Sequence, residues 1–316
     1  MKKSFCLLAL AFHLGAFAQA FPARSVHIVV PFAAGSSTDL LGRLLADELR
    51  GSIGGTWVVE NKAGAGGMIG AQAVAAAAPD GYTLLLSSSA THSSAPGLYK
   101  TMPYDPVKGF VHIGRAVLYP WALVVNAELP VKTVAELNAY AKARPGELNY
   151  GYGSSTAQVA ASAYNSMAGV KSVGVSYKSQ PPAVMDLLAG NIQYMFADIG
   201  LVAPHIKSGK VKVLGVTTQR PTSVLPDVAP IGDSGVAGYQ LVGWAGLAAP
   251  AGTPPNIIKR LSTELDKVLA IPRVREKLVS MGTEPAPLDG ERFNAFVVGE
   301  AETWIRRLSD AGVEKQ

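Results

Sequence analysis

Two hydrophobic periods alternate along the chain, and their alternation marks out the elements. Val26, Ile28, Val29 and Val30 form a β-branched run that predicts a buried strand, and Pro31 ends it because proline has no N–H to donate. Leu40, Leu41, Leu44 and Leu45 then recur at helical spacing, with Arg43, Asp47 and Glu48 on the other side. The pattern returns several times. Further strands are predicted at Thr56–Glu60, Thr83–Ser87, near Leu148–Tyr150, at Val173–Tyr177, at Ile192–Phe196 (ending at Asp198), at Lys212–Thr217 and at Leu241–Pro250. Helices are predicted at Met68–Ala78, Val134–Arg144, from Thr156 up to Gly169, and at Ala183–Ala189. The tail is helical by its leucine and valine spacing over Pro254–Ala270, Pro272–Met281 and Gly290–Ala311. Val111–Val125 reads as two apolar segments around Tyr119-Pro120-Trp121. Strands alternating with helices at this spacing predict βαβ units, a parallel sheet and an α/β fold.

The first strand and helix are joined by Ala33, Ala34, Gly35, Ser36, Ser37, Thr38 and Asp39. No bulky side chain blocks the approach to this backbone, and free N–H groups at a helix start attract anions. Taken alone, the stretch fits an ordinary βα turn, with Ser and Asp capping the helix, at least as well as a ligand site. About 120 residues later Gly151-Tyr152-Gly153-Ser154-Ser155-Thr156 repeats the arrangement of strand, glycine and hydroxyl loop, and helix. Ser87-Ser88-Ser89-Ala90-Thr91-His92 adds a third polar loop after a strand. In open α/β sheets ligands bind outside the carboxyl ends of the strands, so these loops belong on one edge. Two such cradles predict two similar lobes facing each other, with crossings near Trp121 and near Trp244.

Residues 1–20 read as a sorting signal. Lys2 and Lys3 precede a short apolar run, Phe5–Phe17, and Ala18-Gln19-Ala20 is an A-x-A cleavage site. The run is too short for a good membrane span, and Cys6 is not placed for lipid attachment. Cleavage after Ala20 leaves 296 of the 316 residues and removes the only cysteine, so the mature chain depends on core burial without disulfides. A length near 300 residues favours two lobes. Hydrophobic content of 48% against 16% charged residues excludes a disordered chain. Losing Lys2 and Lys3 lowers the formal charge from +5 to +3, and the remaining basic residues are scattered, which excludes a nucleic-acid stripe.

The glycine motifs do not support nucleotide binding. Gly64-Ala65-Gly66-Gly67-Met68-Ile69 and Gly151-Tyr152-Gly153-Ser154-Ser155-Thr156 both lack the third glycine of G-x-G-x-x-G. No glycine completes a G-x-S-x-G elbow around Ser154 or Ser155. His27, His92, His112 and His205 show no metal-ligand spacing, and no cofactor or metal is expected. Asp198, at a strand end, fits either a contact to a ligand's amino group or a helix cap, and Tyr177 with Lys178 fits either an acid-binding pair or the rim.

Longer segments carry a resemblance. They are Val29–Asp39 (VVPFAAGSSTD), Val58–Leu85 (VVENKAGAGGMIGAQAVAAAAPDGYTLL), Leu98–Phe110, Leu148–Gln158 (LNYGYGSSTAQ), Tyr177–Asp198 and Leu247–Pro254. In order and over essentially the whole mature chain, they resemble the substrate-binding components of tripartite tricarboxylate transporters, the Bug family of extracytoplasmic solute receptors. The resemblance implies a bilobal periplasmic-binding-protein fold with a cleft and hinge, holding a carboxylate ligand through loop backbone, hydroxyls and waters. Carried over by position, it implies ligand contacts from Phe32, Ala33, Ala34, Thr38, Asp39, Ser88 and His92 in the first lobe. In the second lobe it implies Ser154, Ser155, Thr156, Tyr177 and Asp198. Three positions depart from the family pattern. Ser36 stands where a second glycine is frequent, Ser179-Gln180-Pro181-Pro182 replaces a glycine-rich run, and Gly109 replaces a frequent aspartate.

The expected organisation is a signal peptide over residues 1–20, a first lobe from 21–121 plus 244–316, and a second from 122–243. The expected function is periplasmic capture of a small carboxylate, aromatic and amino acids included, for delivery to membrane permease components by a monomeric receptor. Two alternatives stand beside it: a ligand sensor for a membrane signalling kinase, and a hydrolase of acidic substrates using Ser154 or Ser155 with His92.

Overall fold

The computed structural model describes residues 21–310 and 314–315, so the expected signal segment lies outside the described residues. In chain order the first part comprises β1 (Val26–Val30), α1 (Ser37–Ile53), β2 (Trp57–Asn61), α2 (Met68–Ala75), β3 (Thr83–Ser88), α3 (Ala95–Leu98) and β4 (Phe110–Tyr119). The middle comprises β5 (Trp121–Asn126), α4 (Val134–Lys142), β6 (Asn149–Tyr152), α5 (Ser155–Ala168), β7 (Val173–Ser176), α6 (Gln180–Ala189), β8 (Tyr194–Asp198), α7 (Ile199–Lys207) and β9 (Val211–Val216). The last part comprises β10 (Gly243–Pro250), α8 (Pro255–Ala270), α9 (Pro272–Ser280), β11 (Glu284–Asp289) and α10 (Gly290–Asp310).

These strands form two sheets, ordered β11-β4-β10-β3-β1-β2 and β7-β6-β8-β5-β9. Val26, Ile28, Val29 and Val30 are essentially inaccessible because β1 lies between β2 and β3 with helices over both faces. The sheets are mixed, which corrects the expectation of a parallel sheet. β1 with β2 and β3, and β6 with β7 and β8, are parallel as βαβ units require. β10 runs antiparallel to β3 and β4, and β5 runs antiparallel to β8 and β9. These are the strands on which the chain arrives from the other sheet, so no crossover helix sets their direction.

β4 and β5 are separated only by Pro120, which carries the chain from one sheet to the other. The two crossings touch there. Trp121 donates its N–H to Thr217 Oγ1 at 3.1 Å, Thr217 donates its N–H to the Trp121 carbonyl at 2.9 Å, and Leu241 donates to the Thr217 carbonyl at 2.9 Å. Beside this junction the lobes meet backbone to backbone. A Cβ on Gly200, in the first turn of α7, would lie 1.9 Å from the Met281 carbonyl oxygen, and one on Gly282 would lie 2.3 Å from the Gly200 nitrogen.

The elements beyond those expected include β11 and a helical turn at Ala90–Ser94 with α3 after it. β11 contains Pro285 and Pro287, and such prolines are tolerated there because β11 is the edge strand beyond β4, with a register shift between Pro285 and Leu288. The stretch Ala90–Ser94, expected as a loop, is a π-helical turn that runs into α3. Trp244, Trp304, Tyr164, Tyr194, Phe196 and Phe293 are the largest fully buried side chains.

Candidate ligand-binding site

The site grows out of two helix starts. Ser36 caps α1 by accepting the Asp39 N–H at 3.2 Å, and Ser154 caps α5 by accepting the Ala157 N–H at 3.1 Å. Each cap satisfies one amide and leaves others at the helix start to be satisfied by solvent or ligand. Ser36, where the family often has glycine, therefore supplies a cap. The Ser179–Pro182 departure also serves the site: Pro181 and Pro182 fit the first turn of α6, and Gln180 Oε1 accepts the Asp198 N–H at 3.0 Å.

A pocket with about 430 Å³ of free space, its mouth included, lies between the lobes. The first lobe lines it with Phe32, Ser36 and Thr38 from the β1–α1 loop and with Ser88, Ser89 and Ala90 at the end of β3. The second lobe adds Gly153, Ser154 and Thr156 from the β6–α5 loop, with Gln180 and Asp198 at the starts of α6 and α7. Tyr119, Trp121 and Trp244 complete it from the strands at the crossings. Thr156 Oγ1 lies 3.2 Å from both Ser89 Oγ and Ser94 Oγ, which joins the lobes across the pocket. Ser88 Oγ is buried with no hydrogen-bond partner among the described residues, and an unpaired buried hydroxyl costs about 1–3 kcal/mol. Among the described residues the pocket is lined by no Lys or Arg, and Asp198 is the one carboxyl that lines it. Burial pushes the Asp198 carboxyl above its ordinary value, against hydrogen bonds from Ser37, Trp121 Nε1 and Gln180 that favour its charged form.

Six of the twelve expected contacts line this pocket: Phe32, Thr38, Ser88, Ser154, Thr156 and Asp198. Six do not. Asp39 is turned into the loop, where it accepts from the Gly35 N–H at 2.9 Å, Arg43 Nε at 3.0 Å and Asn61 Nδ2 at 2.9 Å. Burial raises its pKa, but these hydrogen bonds outweigh burial and hold the carboxyl below its ordinary value. Ala33 and Ala34 lie outside the lining, and Ala34 is exposed. Ser155 Oγ donates to the Gly66 carbonyl at 3.3 Å, and Tyr177 donates its hydroxyl to Asp186 at 2.6 Å.

His92 is fully buried behind the π-helical turn, packed on Phe110, His112 and Trp244. Its Nδ1 lies 2.7 Å from Thr91 Oγ1, and its Nε2 has no partner among the described residues. Burial drives its pKa well down, and the nearby His112 adds to this, which favours the neutral ring. Neither Ser154 nor Ser155 hydrogen-bonds to it, so the serine and histidine pair of the hydrolase alternative is not assembled. The lining also includes Ser36, Ser89, Ala90, Tyr119, Trp121, Gly153, Gln180 and Trp244, which were not among the twelve expected contacts although most lie in the expected cradle loops or at the crossings. The crossing at Tyr119-Pro120-Trp121 was the available signal for two of them, since a crossing residue faces both lobes.

The profile of the tripartite tricarboxylate transporter family receptor, TctC, matches residues 41–312. The chain belongs to this family. It is a periplasmic solute-binding receptor of the TctC/Bug type, and such proteins bind solutes without transforming them. This receptor superposes on the R. palustris protein Rpa4515, solved with adipate, with a TM-score of 0.90, 32% identity and coverage of 94% of this chain and 100% of that one. Against the periplasmic binding protein BugD the TM-score is 0.88 at 35% identity, covering 94% and 100%. Against MatC from Rhodopseudomonas palustris, solved with malate, it is 0.86 at 30% identity, covering 91% and 100%.

Proposed function

We propose that this receptor binds a small organic acid in the periplasm and delivers it, unchanged, to the membrane permease components of a tripartite tricarboxylate transporter. The observation that carries the reading is the convergence of two serine-capped helix starts on one interlobe pocket. The free amides at both starts, and the uncompensated dipole of α5, favour negative charge, and Thr38, Ser88, Ser154 and Thr156 add hydroxyls that orient a carboxylate without an arginine clamp. The unpartnered Ser88 hydroxyl is a ready donor to such a ligand. Asp198 selects at the other end: it favours a hydroxyl or amino substituent and disfavours a second carboxylate beside it. Two similar receptors were solved with malate and adipate, which supports an organic acid as ligand.

In this reading the lobes are 21–121 plus 244–316 and 122–243, and a monomer closes on its ligand by rotation about the paired crossings at Trp121 and Thr217. Export follows cleavage after Ala20, which intact mass of the periplasmic product checks. The test of function is a thermal-shift screen of the mature protein with organic acids, amino acids, aromatic acids and neutral sugars, followed by titration calorimetry of the hits. Stabilisation by carboxylates is expected; stabilisation by neutral sugars alone would overturn the reading.

A further inference from the structure

Two histidines lie edge to face behind the ligand pocket, both buried. His92 belongs to the π-helical turn Ala90–Ser94 and His112 to β4, with ring centroids 5.3 Å apart. Nε2 of His92 and both ring nitrogens of His112 have no hydrogen-bond partner among the described residues. Thr91 Oγ1 donates to the Ser88 carbonyl at 3.1 Å, so towards His92 it is the acceptor and Nδ1 carries the hydrogen. Nε2 of His92 is then a bare lone pair, and a proton added there finds no acceptor. The same holds for His112. A buried charge of this kind is stable only once solvent reaches it.

The surroundings offer no counter-charge. Phe110 of β4, Trp244 of β10 and Phe293 of α10 pack on the pair, and Tyr104 packs on Phe110 and donates its hydroxyl to the Thr91 carbonyl. Arg115, further along β4, turns onto Phe296 and the Ala286 carbonyl. His112 also borders a separate pocket beside α8 that carries Lys259, Asp266, Asp289 and Glu291. Asp289 pairs with Arg292, and none of these carboxyls, nor Glu300 of α10, forms an ion pair with either ring.

The turn that carries His92 also joins the lobes. Ser89 and Ser94, at its two ends, both reach Thr156 of the second lobe at 3.2 Å, and Trp244 Nε1 donates to Ser93 Oγ at 3.2 Å. We infer that His92 and His112 form an acid-operated latch: the neutral pair seats the π-helical turn against Thr156, and proton uptake drives the turn from its seat and frees the lobes to separate. The direction follows from linkage. Burial holds both histidines below the ordinary 6.5, His112 at about 4, whereas a displaced turn opens them to water at the ordinary value. Protons therefore favour the displaced turn only below pH 6.5, by up to about tenfold per histidine for each pH unit. The latch acts on the lobes whichever solute is bound, so it stands or falls apart from the carboxylate reading.

Hydrogen exchange of the unliganded mature protein, read by mass spectrometry from about pH 7.5 to about pH 4.5 and corrected for intrinsic rates, tests the latch. Protection of residues 88–98, and of 154–158 across the lobes, is expected to hold above pH 6.5 and to fall at least tenfold by about pH 5, while β1 keeps its protection. His112→Phe, an apolar ring in the same space, is expected to make the fall shallower. NMR of the histidine rings in the wild type is a second measurement, independent of any variant: both should stay neutral at about pH 5.5 in molecules whose turn is still protected. Protection that stays flat, or a loss shared by β1 that reports unfolding, would overturn the latch. So would a His112→Phe protein with the wild-type slope, or a ring that titrates near pH 6.5 beneath a protected turn.

Discussion

The two helix starts that meet in the pocket carry the same tetrapeptide, Gly-Ser-Ser-Thr, at 35–38 and at 153–156, and they are not equivalent. Both use the first serine as cap and accept the amide three residues on. In α1 that third residue is Asp39; in α5 it is Ala157. Asp39 puts a carboxylate into the first turn of α1, takes the Gly35 amide for itself and brings in Arg43, so the positive end of α1 is answered from within the protein. The first turn of α5 holds no acid, and its field is left for whatever enters the cleft. The glycines differ as well. Gly35 has open space around it but sits at φ +79°, a conformation that suits glycine. Gly153 is needed for room, since a Cβ there would lie 2.0 Å from the Ser179 carbonyl carbon. One motif is therefore internally balanced in the first lobe and left uncompensated in the second, where the proposed carboxylate would sit.

Exchanging residues between the two copies tests this asymmetry. The largest effect is expected from Gly153→Ala, which forces the β6–α5 loop away from the Ser179 backbone. Denaturant melts should show a loss of about 3 kcal/mol, at the upper end of overpacking costs, and carboxylate binding should be lost. Asp39→Asn comes next, at about 1–3 kcal/mol near neutral pH, because it removes a buried acceptor of charge-assisted hydrogen bonds. The folded-state pKa of Asp39 is lowered, so its stabilisation is present above the ordinary value of 3.8 and disappears as pH falls through the folded-state value. Melts from pH 7 down to pH 3 should therefore show mutant and wild type converging; a gap that stays constant with pH would refute the charge argument.

Ser36→Ala and Ser154→Ala should each cost about 1 kcal/mol of stability as lost caps. Only Ser154→Ala is expected to weaken carboxylate binding by about tenfold, since α5 is the uncompensated helix. Equal binding losses in calorimetry would mean that the two starts are equivalent after all. Gly35→Ala is expected to cost a comparable amount, about 1 kcal/mol, because only backbone conformation opposes it. A greater loss for Gly35→Ala than for Gly153→Ala would reverse the assignment of the two glycines.

Much of this was readable before the fold was known, because it depends on local pattern. The β-branched run at Val26–Val30, the leucines of α1 and the small-residue loops after strands are local signals, and they placed both cradles. The nature of the contacts was less readable. Thr38 and Asp39 are neighbours in a polar loop, yet Thr38 lines the pocket while Asp39 is consumed by Gly35, Arg43 and Asn61. That division depends on Asn61, which arrives from the next strand. His92 has the composition of a ligand contact, but the π-helical turn at Ala90–Ser94 buries it against Phe110 and Trp244. Tyr119, Trp121 and Trp244 reach the pocket only because the chain changes sheets at Pro120 and returns through β10, which is a property of strand order. β11 was hidden by its two prolines, which edge position alone excuses.

The Gly200 and Gly282 contact sets a mechanical tolerance for the pair of lobes. Where two backbones touch with no side chain between them, the relative position of the lobes is set by main-chain atoms, which cannot rotate away as a side chain can. A single methyl at position 200 acts there as a wedge: with its carbon 1.9 Å from the Met281 oxygen, both lobes cannot keep their present positions. Affinity for a ligand gripped by both lobes then falls in proportion to the fraction of molecules that still reach the gripping geometry, although every residue that touches the ligand is intact. The width of a glycine outside the pocket lining thus becomes a setting for how readily the two lobes reach the geometry that grips a ligand.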